Sequence, residues 1–271
     1  MQAATALNQH KISNHYLRNS LLARIIAAET DTVLPRLQIV DTPLNQSIYN
    51  EGDQIGFVYF PIDSLISSLA TLQDGTSVEV SMTGSEGIVG IAPILASTPN
   101  QYWIRTCVAG TIARLDVDAF ADVLNRNSRI LKAVFRTCDS LIKQISQRSV
   151  CNVRHSVMER FCCWLLMVQD RIGTRDIKLT QDFIAGRLGA RRAGITVAAR
   201  ELYDRNAIEY KRGSLQIKDR ALIENEACEC YSVLRLERET AQECLTETSS
   251  RNVAYPTFTS QASYAKSRAN P

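Results

Sequence analysis

The stretch from Leu179 to Asp219 constrains this chain more than any other. Thr180 is placed to cap a helix that carries Phe183, Ile184 and Leu188 at helical spacing, and small Ala185 lets a second helix approach closely. Gly189 supplies the turn, where a left-handed backbone costs glycine little. A second helix follows from about Arg191 to Leu202, with Ile195, Ala198 and Leu202 on its buried side. Ile208-Glu209-Tyr210 and Leu215-Gln216-Ile217 then alternate apolar and polar around Lys211-Arg212-Gly213-Ser214, the pattern of a hairpin with a basic tip. An α-helix fits the major groove of DNA, and a cationic hairpin can lie along the phosphates beside it. Thr180, Gln181, Arg191, Arg192, Thr196, Arg200, Lys211 and Arg212 are therefore the candidate DNA contacts.

Two helices and a hairpin can also be a mere packing unit, and charge distinguishes the two readings. Residues 171–220 hold 12 Lys or Arg against 6 Asp or Glu, whereas residues 1–120 hold 6 against 11. The formal net charge of +3 hides this polarity. Cations clustered on one part of a chain are the footprint of polyanion binding.

A chain of 271 residues with 45% hydrophobic content has room for two compact domains and a tail. Met1 to His10 lacks the pattern of a signal peptide, and the longest strongly apolar run, Phe161 to Val168, is too short to span a bilayer. The expectation is a cytoplasmic protein with no membrane partner. Eight cysteines without zinc-finger spacing read as reduced, mostly buried thiols. His10, His15 and His155 do not converge by spacing, so no metal site and no cofactor are expected.

Residues 1–16 read as a flexible N-terminus, followed by a short helix, Leu17 to Ala28, that covers the next domain. Between Leu37 and Val117 short apolar runs recur between turn signals such as Glu51-Gly52-Asp53 and Asp74-Gly75, which predicts a β-sandwich or jelly-roll barrel over 17–125. A long helix is expected over 126–150. Leu131, Val134, Cys138, Leu141 and Ile145 form one apolar stripe on it, read as a homodimer seam in preference to a helix packed on its own barrel, with Phe135 and Ile142 left to touch the barrel. A further helix, about Val153 to Gln169, belongs to the helix-turn-helix domain at 151–235, and the polar stretch 236–271 reads as a disordered tail. The fold class is α+β: a β-roll sensor domain, a long dimerisation helix and a winged helix-turn-helix.

This order of parts resembles the Crp/Fnr family of bacterial transcription regulators over about Leu21 to Tyr231. The residues that carry the resemblance are Leu179-Thr180-Gln181-Asp182-Phe183-Ile184-Ala185-Gly186-Arg187-Leu188-Gly189, then Arg200-Glu201-Leu202 and Arg212-Gly213. Ile48-Tyr49-Asn50-Glu51-Gly52-Asp53 and Val58-Tyr59-Phe60-Pro61 are similar to the early β-roll. The resemblance implies a homodimer on double-stranded DNA, with RNA polymerase as a further candidate partner.

The chain departs from the family in two places. Where the family's recognition helix reads Ser-Arg-Glu-Thr-Val-Ser-Arg, this chain has Arg191-Arg192-Ala193-Gly194-Ile195-Thr196-Val197, so Arg192 keeps the first base-reading arginine and the glutamate and second arginine are gone. A different operator follows. In cyclic-nucleotide-binding members a Gly-Glu motif and a downstream arginine hold the ligand. Here Gly84, Glu86 and Gly87 remain as a candidate effector pocket, but Trp103 stands near the expected arginine, and Arg105 lies two residues on, on the same strand face. The roll is thus expected to bind cyclic AMP or cyclic GMP weakly or not at all, with another ligand or none as the alternatives. No cysteine precedes Cys107, which argues against the family's amino-terminal iron-sulfur cluster, while Cys228-Glu229-Cys230 leaves a redox role open.

The reading is a homodimeric, sequence-specific DNA-binding transcription regulator and not an enzyme. The alternative is a ligand-sensing β-roll protein whose C-terminal domain binds a protein partner.

Overall fold

A computed structural model describes residues 16–174, 176–211 and 213–246. Helix α1 (Ser20–Val33) opens the structure. Its cap Asn19 is fully buried, accepting from Leu22 N and donating Nδ2 to the carbonyls of Pro61 and Gly87, each at 2.9 Å. One side chain thus joins the helix to the domain that it covers.

Seven strands follow: β1 (Gln38–Thr42), β2 (Ser47–Tyr49), β3 (Phe57–Pro61), β4 (Leu65–Thr71), β5 (Ser77–Thr83), β6 (Trp103–Val108) and β7 (Gly110–Asp116), with α2 (Ile91–Ala96) between β5 and β6. They form two antiparallel sheets, ordered β1-β7-β3 and β2-β6-β4-β5. Val58, Phe60, Ile112 and Leu115 fill the core with α1 and with α3 (Val117–Arg126). Alternation of apolar and polar residues with period two sets which faces meet.

Helix α4 (Ser128–Arg154) then runs 27 residues, capped by Asn127. It is longer than the sequence predicts because its true end lies at His155, whose backbone turns extended. Ser156 and Glu159 form a capping box that starts α5 (Val157–Ile172), so the chain breaks sharply between two helices. After β8 (Asp176–Ile177) come α6 (Gln181–Leu188), α7 (Arg192–Asp204), β9 (Ile208–Lys211), β10 (Ser214–Ile217), α8 (Arg220–Glu226) and α9 (Cys230–Thr246). The three short strands make one sheet, ordered β8-β10-β9.

Two expectations are corrected here. Residues 236–246 belong to helix α9 and not to a tail, because Leu234 is buried, Arg238 reaches the Asp170 carboxylate, and Lys143 on α4 pairs with Glu237 at 3.1 Å. Residues 1–15 and 247–271, read as flexible ends, lie outside the described residues. The stripe Leu131, Val134, Cys138, Leu141 and Ile145 does not face outward. Leu131 and Val134 are buried in the roll's own core, Cys138 packs against it, Leu141 lines a cleft shared with α9, and Ile145 is half-buried. Ile142, Val150 and Val153 are exposed instead, at 62%, 53% and 83%.

Candidate nucleic-acid interface

Thr180 caps α6, its hydroxyl accepting from Phe183 N at 3.2 Å. Gly189 ends that helix at φ +56°, and a Cβ there would stand 3.1 Å from Val78 on β5, so both backbone and space require glycine. The helix-turn-helix corner rests on the roll at this point. Ile195, Ala198, Ala199 and Leu202 bury the inner side of α7 against Ile184, Leu188 and Trp164. Gly194 faces Val157 on α5, where a Cβ would make ordinary contact with side-chain carbons at 3.5 Å.

The outer side of α7 is open. Arg191, Arg192, Ala193, Thr196, Val197 and Arg200 are all exposed. Arg192 is 70% exposed at its side chain and pairs with Asp182 at 3.1 Å, a surface pair that costs little to exchange for a base edge. Thr196 donates to Gln181 Oε1 at 2.9 Å, which ties the predicted contact on α6 to the one on α7. Arg200 pairs with Asp204 at 2.9 Å. Five of the eight candidate contacts, Gln181, Arg191, Arg192, Thr196 and Arg200, are thus side chains brought to one surface. Thr180 is used as a cap, Arg212 lies outside the described residues, and of Lys211 only the backbone, in β9, is described. Val197, which the sequence placed where the family has its second base-reading arginine, is 67% exposed, and sequence reasoning passed over Tyr203 (51%), though its spacing from Arg200 marks the same face.

The candidate effector residues do not converge. Glu86 Oε1 accepts from Arg171 Nε on α5 at 2.8 Å and from Gly84 N at 3.2 Å. Burial works to raise the Glu86 carboxyl, but Arg171 and the backbone donors outweigh it and hold it below its ordinary range. A Cβ on Gly84 would fall 2.8 Å from Glu86 Oε2 and 3.1 Å from Arg171 Cβ, so glycine permits the contact. Arg105 is elsewhere, its guanidinium 5.0 Å over the Trp103 ring and 3.4 Å from the Asn45 carbonyl. Gly87 and Glu86 line the cleft with Leu141, Gln144 and α9, and Arg105 does not.

A second contact locks the same two parts together. Glu79 on β5, 1% exposed, accepts at Oε1 from Arg148 Nη1 at 2.9 Å and from Trp164 Nε1 at 3.0 Å, and Ser67 donates to its other oxygen. The sequence reading gave Glu79 no such role. It also missed that His155 meets Cys151, Cys228 and Cys230, against the expectation that no metal-ligating set forms. Folding, not spacing, brings them together.

Residues 40–127 match the cyclic nucleotide-binding domain, and residues 159–225 match the Crp-like helix-turn-helix domain. Together these matches span more than half of the chain, in the order that the fold shows. The chain belongs to the Crp/Fnr family. Crp/Fnr members are DNA-binding transcription regulators, and so is this protein. Similar solved structures include FixK2 from Bradyrhizobium japonicum, at 13% identity and TM-score 0.62, covering 71% of this chain and 98% of that one. A CRP-family transcriptional regulator from Thermus thermophilus gives 15% and 0.61, covering 69% and 96%. The c-di-GMP-responsive regulator CLP of Xanthomonas campestris gives 16% and 0.58, covering 70% and 98%. At such identities the likeness is one of Crp/Fnr fold. No curated protein matches the chain in sequence. Among the described residues no helix is long and apolar enough to cross a membrane.

Proposed function

We propose that this regulator acts in the cytoplasm as a homodimer without enzymatic activity, with α7 in the major groove and the β9–β10 hairpin along the phosphates. The observation that carries this is the open face of α7. Arg191, Arg192, Thr196 and Arg200 stand exposed on a helix whose other side is fixed in a core. Arg192 would read a guanine, and Val197 offers an apolar contact to a thymine methyl. The basic sequence Lys211-Arg212 supports the hairpin's place on the backbone.

The second copy would dock on α4 through Ile142, Val150 and Val153, with Ser146 and Ser149 small enough to let two helices approach. This face replaces the inward stripe. Cyclic nucleotides are not required in this reading, because Glu86 is already neutralised by Arg171, and the other arginine that lines its cleft, Arg238, is engaged by Asp170.

The test is duplex binding as a function of salt. Affinity for a sequence selected from a random duplex library should fall steeply and linearly on a logarithmic scale as salt rises. A C-terminal domain built for a protein partner would instead show no selected sequence and no such slope.

A further inference from the structure

The last turn of α4 and the entrance to α9 meet beside the break between α4 and α5. Cys151 and His155 stand four residues apart on α4 and its cap, and Cys228 and Cys230 flank Glu229 just after α8. The Cys151 and Cys228 sulfurs are 3.5 Å apart, and Cys230 Sγ is 3.6 Å from His155 Nδ1. All four donor atoms lie within 4.8 Å of one another. A tetrahedral zinc ion with Zn–S near 2.3 Å and Zn–N near 2.0 Å spaces its ligands by about 3.8 Å between sulfurs and about 3.5 Å between sulfur and nitrogen. The cluster is already close to that spacing. It is too tight for an iron-sulfur cluster, whose ligands must stand around several atoms.

The surroundings are those of a ligand set and not of core thiols. His155 turns its other nitrogen, Nε2, to Glu229 Oε2 at 3.2 Å, which fixes the ring and leaves Nδ1 free to bind. Gln147 Nε2 donates to Cys230 Sγ at 3.1 Å. Arg160 lies within electrostatic range of Cys151 and Cys228, and its buried Nε has no hydrogen-bond partner.

We propose that Cys151, His155, Cys228 and Cys230 bind one zinc ion in a closed site of three sulfurs and one nitrogen. Loading displaces the thiol protons to solvent and leaves a complex of charge −1, which the Arg160 guanidinium offsets. The ion ties the end of the long helix to the segment that follows the wing, and so fixes the junction on which the DNA-binding part is carried. The proposal stands apart from the DNA reading, because metal content is measured without DNA.

The full chain, purified under reducing conditions, should retain about one zinc per protomer. Cobalt exchanged into it should give the visible bands and sulfur-to-metal charge transfer of a tetrahedral thiolate site. Cys230→Ser and His155→Asn should each lose retention against a chelator, and Glu229→Gln should weaken affinity about 10- to 100-fold. Cys163→Ala, which removes a neighbouring thiol outside the set, should retain the metal. A reduced wild-type chain that takes up neither zinc nor cobalt would overturn the site. An octahedral cobalt spectrum, or full retention in both Cys230→Ser and His155→Asn, would do the same.

Discussion

The indole Nε1–H of Trp164 donates to Glu79 Oε1 at 3.0 Å, joining the core of the helix-turn-helix domain to the edge strand β5 of the β-roll. Arg148 reaches the same oxygen from the long helix. Removing each donor should have a different cost. Trp164→Phe deletes one hydrogen bond to a charged acceptor, for about 1.5–3 kcal/mol. Arg148→Met leaves a buried carboxylate without its cation, for about 3–5 kcal/mol. Denaturant unfolding of the two variants checks the order, and Arg148→Met should be the less stable.

Glu86 and Arg171 form the second link between the two parts, and their contact should depend on pH. The folded carboxyl is held below the usual 4.5 of a glutamate. Stability from this pair is therefore fully present above about 4.5 and lost as pH falls through the lower folded value. Melting temperatures of wild type and Glu86→Gln should differ most near neutrality and converge in acid. A constant difference across that range would show that the pair does not titrate.

Ile142→Glu and Leu141→Glu separate the two faces of the long helix. Ile142 points to solvent in one chain, so a glutamate there leaves the fold intact and places like charges between two copies. Sedimentation should show a folded monomer and a large loss of affinity for a palindromic site. Leu141 lines the cleft with α9, so Leu141→Glu should lower the melting temperature of the chain itself.

Calorimetry with cyclic AMP and cyclic GMP should show no micromolar binding to the wild-type chain. A phosphodiester buried beside Glu86 needs a cation, and Arg105 sits instead on Trp103. Micromolar binding lost in Arg105→Ala would mean that this arginine swings into the roll.

Local patterns were legible in the sequence, and long-range pairings were not. Alternating strands, the Thr180 cap and the Gly189 turn follow from rules that act within a few residues, and the structure places them as read. The stripe on α4 was visible, but its direction was not, since its first half packs on the roll and Leu141 faces α9, which begins almost a hundred residues later and whose polar composition hides a helix held by Arg238 and Leu234. The thiol cluster was invisible for the same reason. Cys151 and Cys228 are 77 residues apart and share no motif. Glu79 drew no role from the sequence and Glu86 was read as an effector ligand, and only docking of α4 and α5 gives them Arg148 and Arg171.

The central claim is that the exposed face of α7 reads base sequence, and Arg192→Ala tests it most directly. With a duplex selected by the wild-type chain, the variant should lose about 1–3 kcal/mol of discrimination at one base pair in each half-site and keep its affinity for unrelated duplexes nearly unchanged. Equal affinity and equal selectivity in wild type and Arg192→Ala would contradict the account.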